Sequence, residues 1–464
     1  MKAGNCFPSP FGMSFEPTKD FLEEVADAIE QGQDQFIVDV FSNMHAADVS
    51  IVLDHLDGEE CRYVLKLLDK QVGADVISNL DEDTRKDFLK EFSTGEIAEF
   101  MDFTDSDDAA DILNDLPLKK REEVISLMKN LEKAAHIVDL LNYDEDCAGG
   151  LMAKELIKAN IEWNVKQTIE EIRRQTKNVD KILTVYVVDH ENNLMGRVSI
   201  KRIILAEDDS KIRDIYFPDI QVVHTYSDKE EVADLMQKYD LEVIPVVNIQ
   251  GKLVGRITID DIVDVIKEQA EVNQQIMSGI SENVEEDDNV WMISRARLPW
   301  LLIGMMGGLL GAQFMGFFEA DLAQVPAMAF FIPLITATGG NVGIQSSTIV
   351  VQTLANSAYF IENSATSRIL KVLMVALING LVISSVVLLF NIIFAGIKLA
   401  VVVSIALFCV VLLASFMGTV TPLVLDRFGI NPALASGPFI TTANDLLGIL
   451  VYFMVARNLF MFWV

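Results

Sequence analysis

Hydrophobic and polar positions divide the chain into three stretches of unlike rhythm. From Leu298 onward the apolar residues run in five long blocks, Leu298–Phe318, Ala327–Ala355, Ile369–Phe394, Leu399–Leu425 and Gly437–Met461. Each is long enough to cross about 30 Å of hydrocarbon as a helix, which needs roughly 20 residues. Between about Phe21 and Asn142 the apolar residues recur at helical spacing in short amphipathic pieces. These form a loose repeat, in which Leu56 is followed by Arg62, Leu80 by Arg85 and Leu116 by Arg121. Such a repeat predicts a superhelix of small helical units. From about Leu151 to Glu271 strands alternate with helices. Strands are expected at Leu183–Val188 and Leu194–Ser199, with hairpin turns at His190–Asn193 and Asn248–Gly251, so the stretch reads as two copies of one helix–strand–strand–helix unit.

The expected fold class is therefore a multi-domain membrane protein: an α-helical superhelical N-terminal domain, a tandem pair of α+β domains and a five-helix all-α transmembrane domain. The expected boundaries are a tail at 1–20, the acidic helical repeat at 21–145, the α+β copies at 146–210 and 211–272, a linker helix at 273–294 and the membrane domain at 295–464.

Charge sharpens this division. The 464-residue chain has 37 basic and 68 acidic residues; residues from Arg295 onward hold 7 and 5 of them, which leaves 30 and 63 for residues 1–294. So acidic a region has no basic footprint for nucleic acid, and nucleic acid is excluded as a partner. Its carboxylates suit either solubility or hard cations. The cysteines, Cys6, Cys61, Cys147 and Cys409, are scattered and form no CxxC pair, as fits a reducing compartment. The N-terminus has no long apolar core, so no signal peptide is read. Arg295, Arg297, Arg368, Lys371 and Arg427 would share a side with the N-terminal region, and Lys398 and Arg457 would lie opposite. Excess basic residues mark the cytoplasmic side. The N-terminal domains are thus expected inside and the C-terminus outside a cell (inner) membrane.

Two membrane segments are unusual. Pro333–Gln352 reads PLITATGGNVGIQSSTIVVQ, and polar groups at that depth must face protein or water. Gly339 and Gly343 also have the spacing of a small-residue packing motif, so close helix packing is the alternative. The last segment holds one acid, Asp445, with no basic residue near it in the same span. A charge in mid-membrane costs on the order of 2.5–3.5 kcal/mol on insertion scales, which a cation in a wet pore would offset; pairing with a polar group on another span is the alternative. Asp445, Asn341, Gly339, Gly340, Asn444 and Gln345 are the candidate pore and ion-selectivity residues. The membrane half has no histidine: His45, His55, His136, His190 and His224 all precede it. Oxygen ligands alone suit magnesium, which prefers six oxygens and sheds water reluctantly.

Two acidic clusters lie upstream. Asp105, Asp107, Asp108 and Asp111 are denser than helix capping needs. Asp260, Asp261, Asp264, Glu268 and Glu271 follow the last strand, with 260, 264, 268 and 271 on one helix face. Both are candidate regulatory metal sites, with an ordinary solvated acidic surface as the alternative.

The paired α+β units resemble tandem CBS domains. Gly255–Asp261 is similar to their nucleotide-binding segment, so the resemblance implies Thr258 and Asp261 as nucleotide contacts; the first copy has Ser199 but Arg202 in the acid's place. The order of parts, together with DCAGGLMA at Asp146–Ala153, ATGGNVGIQSST at Ala337–Thr348 and Asp445, resembles the MgtE family of magnesium channels over nearly the whole chain from about Phe21. That resemblance implies a homodimer with a pore between the second and fifth spans, Asp445 as the pore acid, Gly339, Gly340 and Asn341 beside it, and a gating linker at about 268–290. Ile344 stands where members often have a polar residue.

The expected function is a Mg2+-selective channel or transporter, gated by cytoplasmic Mg2+, with Mg2+ as its ion, ATP as a further ligand of the CBS pair, and no enzymatic activity. The rival readings are an ion-coupled carrier that also takes Co2+, Ni2+ or Mn2+, and a non-conducting Mg2+ sensor. No HExxH helix supports an intramembrane metalloprotease, and the lone deep charge is of the wrong sign for an anion channel.

Overall fold

A computed structural model describes residues 15, 17–176, 182, 184–284, 288–355, 365–435 and 437–461. Most of the expected tail at 1–20, and Leu183 of the expected first strand, lie outside the described residues. The chain divides into two compact units, Met1–Val265 and Ile266–Val464.

The first unit opens with α1 Lys19–Glu30, α2 Asp34–Phe41, α3 Ala46–Leu53, α4 Gly58–Leu67, α5 Lys70–Ser78, α6 Glu82–Glu91, α7 Thr94–Met101, α8 Ser106–Asn114, α9 Leu118–Leu127 and α10 Leu131–Leu140. Capping boxes start α4 (Asp57 with Glu60) and α7 (Ser93 with Glu96), satisfying amides that the helix itself leaves open. From α3 to α10 helices pack on the second helix along: α3 on α5, α4 on α6, α5 on α7, α7 on α9 and α8 on α10. This is a superhelical stack with one continuous core through Val52, Val64, Ile77, Ile97, Leu113 and Ile137. Two arginines of the repeat tie one unit to the next, while Arg121 donates to the Asn114 carbonyl of its own unit at 3.1 Å. Arg62 donates to Glu96 at 2.8 Å and Arg85 to Asp115 at 2.7 Å.

The α+β part follows: β1 Ile157–Asn160, α11 Val165–Gln175, β2 Val185–Val188, β3 Leu194–Val198, α12 Ile200–Leu205, α13 Ile212–Ile215, β4 Val223–His224, α14 Lys229–Tyr239, β5 Val243–Val247, β6 Leu253–Thr258 and α15 Ile259–Ser278. Each copy is a three-stranded sheet, with its first strand parallel to the second and the third antiparallel. The sequence pattern missed β1 and β4, whose places are set by parallel pairing with β2 and β5 rather than by a local hairpin. The two hairpin turns meet: the Asn192 side chain donates to the Leu253 carbonyl at 2.8 Å, and Leu194 N–H to the Gly251 carbonyl at 3.2 Å. The DCAGG segment joins the second sheet to the helical stack. Ala148 and Gly149 donate to the Ser227 and Thr225 carbonyls at 2.8 Å each.

Among the described residues the second unit has five helices of membrane-spanning length and composition. They are α16 Val290–Gly316, then, after the short α17 Glu319–Gln324, α18 Ile332–Ala355, α19 Ala365–Phe394, α20 Ile397–Arg427 and α21 Pro438–Met461. α20 is the central one and packs on α18, α19 and α21. Its buried Ala, Ser, Gly and Thr positions let neighbouring backbones come close.

The linker expected at 273–294 is not a helix of its own. α15 runs unbroken to Ser278 and stops at Gly279, whose φ of +83° favours glycine. Residues from Val290 belong to the first membrane helix, started by the Asn289 side chain, which accepts from Trp291 N–H.

Candidate functional site: a carboxylate among the apolar helices and an upstream acidic cluster

The run Pro333–Gln352 is helical throughout as part of α18, and its glycines are the contact surface for neighbouring helices. A β-carbon on Gly339 would stand 3.1 Å from Val410 of α20; one on Gly340 would stand 3.2 Å from Thr441 and 3.8 Å from Asp445 Oδ1 of α21. At Gly343 a β-carbon would overlap the side-chain amide of Asn444. The packing alternative for Gly339 and Gly343 therefore describes these positions well, and the packing is what brings α18 up to Asp445.

Asn444 is only 2% exposed, and neither its Oδ1 nor its Nδ2 has a hydrogen-bond partner among the described residues. Asp445 beside it is half-buried. Ser347 donates to the Ala435 carbonyl at 2.9 Å, and Ser346 meets Ser415 at 3.1 Å. Asn341 and Gln345 point elsewhere. With Pro333, Ala337, Ile349 and Gln352 they form a stripe on α18 left exposed by the rest of the chain.

The upstream candidates separate into two groups. Asp107 and Asp108 lie in the first turn of α8, after Asp105 at its N-cap, and Asp111 lies one turn on. Asp261, in the first turn of α15, stands within electrostatic reach of Asp107, Asp108 and Asp111. Desolvation comes first in pushing these acids up, and mutual repulsion adds to it. Asp108, with Asp261 and Asp105 close, and Asp111, with Asp108 and Glu145 close, are each raised to about 7 against the partial relief of Arg85. Asp107, facing Asp261, Asp108 and Glu155, is raised well above the usual carboxylate range. Burial also raises Asp261, against the hydrogen bond from Thr258. A divalent cation would relieve this strain between like charges. Among the described residues no three His, Cys, Asp or Glu side chains already stand in metal-binding geometry.

Asp108 and Asp111 keep exposed surface even so, and Asp260, Asp264, Glu268 and Glu271 lie exposed along α15, with Lys267 4.0 Å from Glu271. Sequence reasoning missed Glu155. It is 7% exposed and accepts from Ser106 Oγ at 2.6 Å, close to Asp107. Its 49-residue separation from Ser106 left no local signal. Thr258 and Asp261 do come together, Thr258 Oγ1 donating to Asp261 Oδ2 at 2.7 Å, which caps α15. In the first copy Arg202 donates to the Ile215 carbonyl at 2.8 Å and stacks on Phe217.

Comparison with known proteins follows the same division. Residues 332–455 match the family model MgtE, described as a divalent cation transporter, residues 44–146 the MgtE intracellular N domain, and residues 212–268 the CBS domain. A magnesium transporter MgtE of Thermus thermophilus is 32% identical over 440 residues, 93% of this chain and 97% of the relative. This chain belongs to the MgtE family of magnesium transporters. The MgtE of Bacillus subtilis is 28% identical over 418 residues, 90% of this chain and 92% of that protein. Among solved structures, the cytosolic domain of the Mg2+ channel MgtE in complex with ATP is 31% identical, with a TM-score of 0.50 over 53% of this chain and 99% of that one. The CBS match at residues 212–268 lies on the second copy, and β1–β3 repeat the same strand order in the first.

Proposed function

We propose that this MgtE-family protein is a magnesium-selective channel of the inner membrane. In this reading it works as a homodimer, conducts past Asp445 and is closed by magnesium bound on its cytoplasmic domains. The observation that carries the reading is the exposed stripe on α18 that holds the amides of Asn341 and Gln345 one turn apart. Amides on a membrane helix cannot face hydrocarbon without loss. A water-filled path lined by α18 and closed off by a second copy would satisfy them. Asp445 of α21, adjoining Gly340 of α18, would supply one carboxylate per subunit. Two such groups with amides and carbonyls suit a largely hydrated Mg2+.

Gating would start at Asp107, Asp108, Asp111 and Asp261. Magnesium bound among them would cancel their repulsion and fix the start of α15. That helix is one 20-residue rod, about 30 Å long at 1.5 Å per residue. Its far end meets the loop ahead of α21: Asn431 Nδ2 donates to Asn273 Oδ1 at 3.2 Å, and Gly279 abuts Pro438. Fixing α15 would thus bias the helix that holds Asp445, a two-state switch set by the ion. With the N-terminal domains inside, five spans put the C-terminus outside. The ATP complex of the related cytosolic domain supports a second ligand at Thr258 and Asp261; loss of ATP binding in Thr258→Val would bear this out.

The deciding experiment is magnesium uptake in cells unable to import it. Wild type should restore growth at low magnesium and Asp445→Asn should not. Current reversing at the magnesium equilibrium potential distinguishes a channel from an ion-coupled carrier, and zero flux in liposomes would leave only a sensor.

A further inference from the structure

Where α16 enters the membrane, an open cavity of about 720 Å3 lies between that helix and the chain just after α15. Its size falls within the roughly 300–1,000 Å3 of small-molecule sites. Ile293, Trp300 and Met305 of α16 form one wall, and Ile280, Val284 and Pro438 the other. The second wall is held in place. The Gln275 side chain donates to the Val284 carbonyl at 2.9 Å and accepts from Val284 N–H at 3.2 Å, while Ser281 N–H donates to the Ala296 carbonyl at 2.9 Å.

Two arginines flank this entrance. Arg295 is 3.3 Å from Glu282. Arg297, exposed and lining the cavity, makes no ion pair or hydrogen bond among the described residues. Gly304 lines the cavity and Gly308 lies one turn further along the exposed face of α16; a β-carbon on either would meet nothing within 4 Å, which leaves a notch among Leu301, Met305 and Leu309. Gly307 and Gly311 of the same helix instead face α21. The site therefore offers a cation at the headgroup level, a tryptophan suited to that level and an apolar furrow below it.

We propose that this cavity seats one anionic phospholipid, its phosphate on Arg297 and an acyl chain along Gly304 and Gly308. The charge fits a lipid phosphate, and the furrow requires an apolar tail, which free phosphate lacks. Because the cavity also borders Gly279 and Pro438, the seated lipid braces the joint between α15 and α21.

The test uses the full-length protein in detergent, incubated with phosphatidylglycerol or with phosphatidylcholine of the same chain length, and native mass spectrometry to count retained lipid. Wild type should retain phosphatidylglycerol preferentially. Arg297→Gln should lose roughly fivefold of that preference, about what one basic residue gains at an anionic surface, and Arg297→Lys should keep it. Gly304→Leu fills the furrow, with open space for its β-carbon, and should lose both lipids. Equal retention by Arg297→Gln and wild type would overturn the proposal. So would displacement of phosphatidylglycerol by inorganic phosphate alone, or a Gly304→Leu variant that changes subunit number while keeping its lipid, which would make the furrow an interface between copies.

Discussion

Gly343 on α18 leaves room for the side-chain amide of Asn444 on α21, and any β-carbon there would overlap it. The amide is buried and has no partner among the described residues. A buried amide without partners costs about 1–3 kcal/mol, so packing alone gives no reason for an asparagine. Asn444→Leu is therefore expected to hold or raise the thermal unfolding temperature while lowering magnesium uptake. A stable variant with full uptake would mean the amide has no part in conduction. Gly343→Ala should instead destabilise by about 1–3 kcal/mol through overpacking, with uptake falling as the helices separate.

The stripe on α18 gives a second test, again by separating stability from flux. If Asn341 and Gln345 faced lipid, leucine would suit both positions better. If they line water, the Asn341→Leu, Gln345→Leu double variant should remain within about 0.5 kcal/mol in stability, as exposed substitutions do, yet conduct at least on the order of tenfold less magnesium, because removing the polar lining raises the barrier by about 1.4 kcal/mol or more. Flux into liposomes, normalised to protein, measures it.

The acidic cluster makes stability depend on pH in a direction opposite to that of ordinary salt-bridged carboxylates. Asp108 and Asp111 sit at about 7 in the folded chain, against about 3.9 for an unfolded aspartate. A raised carboxyl favours the folded state while it is protonated. The contribution is fully present below about pH 4 and is lost as pH rises through about 7. In chelator, the unfolding temperature of the whole protein should fall between pH 5 and pH 8. Magnesium should restore it at pH 8 and do little at pH 5, and its binding near pH 7 should release protons. Asp108→Asn with Asp111→Asn should flatten both curves and abolish inhibition by internal magnesium. Inhibition unchanged in that variant would remove these acids from the sensor.

Legibility from sequence followed how local each signal was. The five spans were plain because a run of some 20 apolar residues needs no partner to be recognised. The hairpin turns were plain because Asn and Gly fix their backbone locally; Asn192 and Gly251 do adopt positive φ. Strands β1 and β4 were not, since their place is set by parallel pairing with Val185–Val188 and Val246–Val247. The acids at 105–111 stood out as a cluster, but that Asp261 would join them and Asp264 would not depends on how the second sheet aims α15. Glu155 and the partnerless state of Asn444 are properties of packing, invisible in one dimension.

Gly437 tests the joint between α15 and α21. Its φ is +56°, and a β-carbon would overlap the Met277 carbonyl in the last turn of α15. Gly429, nearby in the same connection, has a φ of +69° but open space around it. Alanine at either position should cost a similar amount of backbone strain, of order 1–3 kcal/mol. Only Gly437→Ala would also push α15 away from the start of α21. If α15 transmits the state of the acidic cluster, Gly437→Ala should keep its flux in low magnesium but need more internal magnesium to close, and Gly429→Ala should close as wild type does. The comparison removes backbone strain as an explanation, because both variants share it, and leaves the overlap with Met277 as the difference. Equal shifts in the two would place the coupling elsewhere than at this contact.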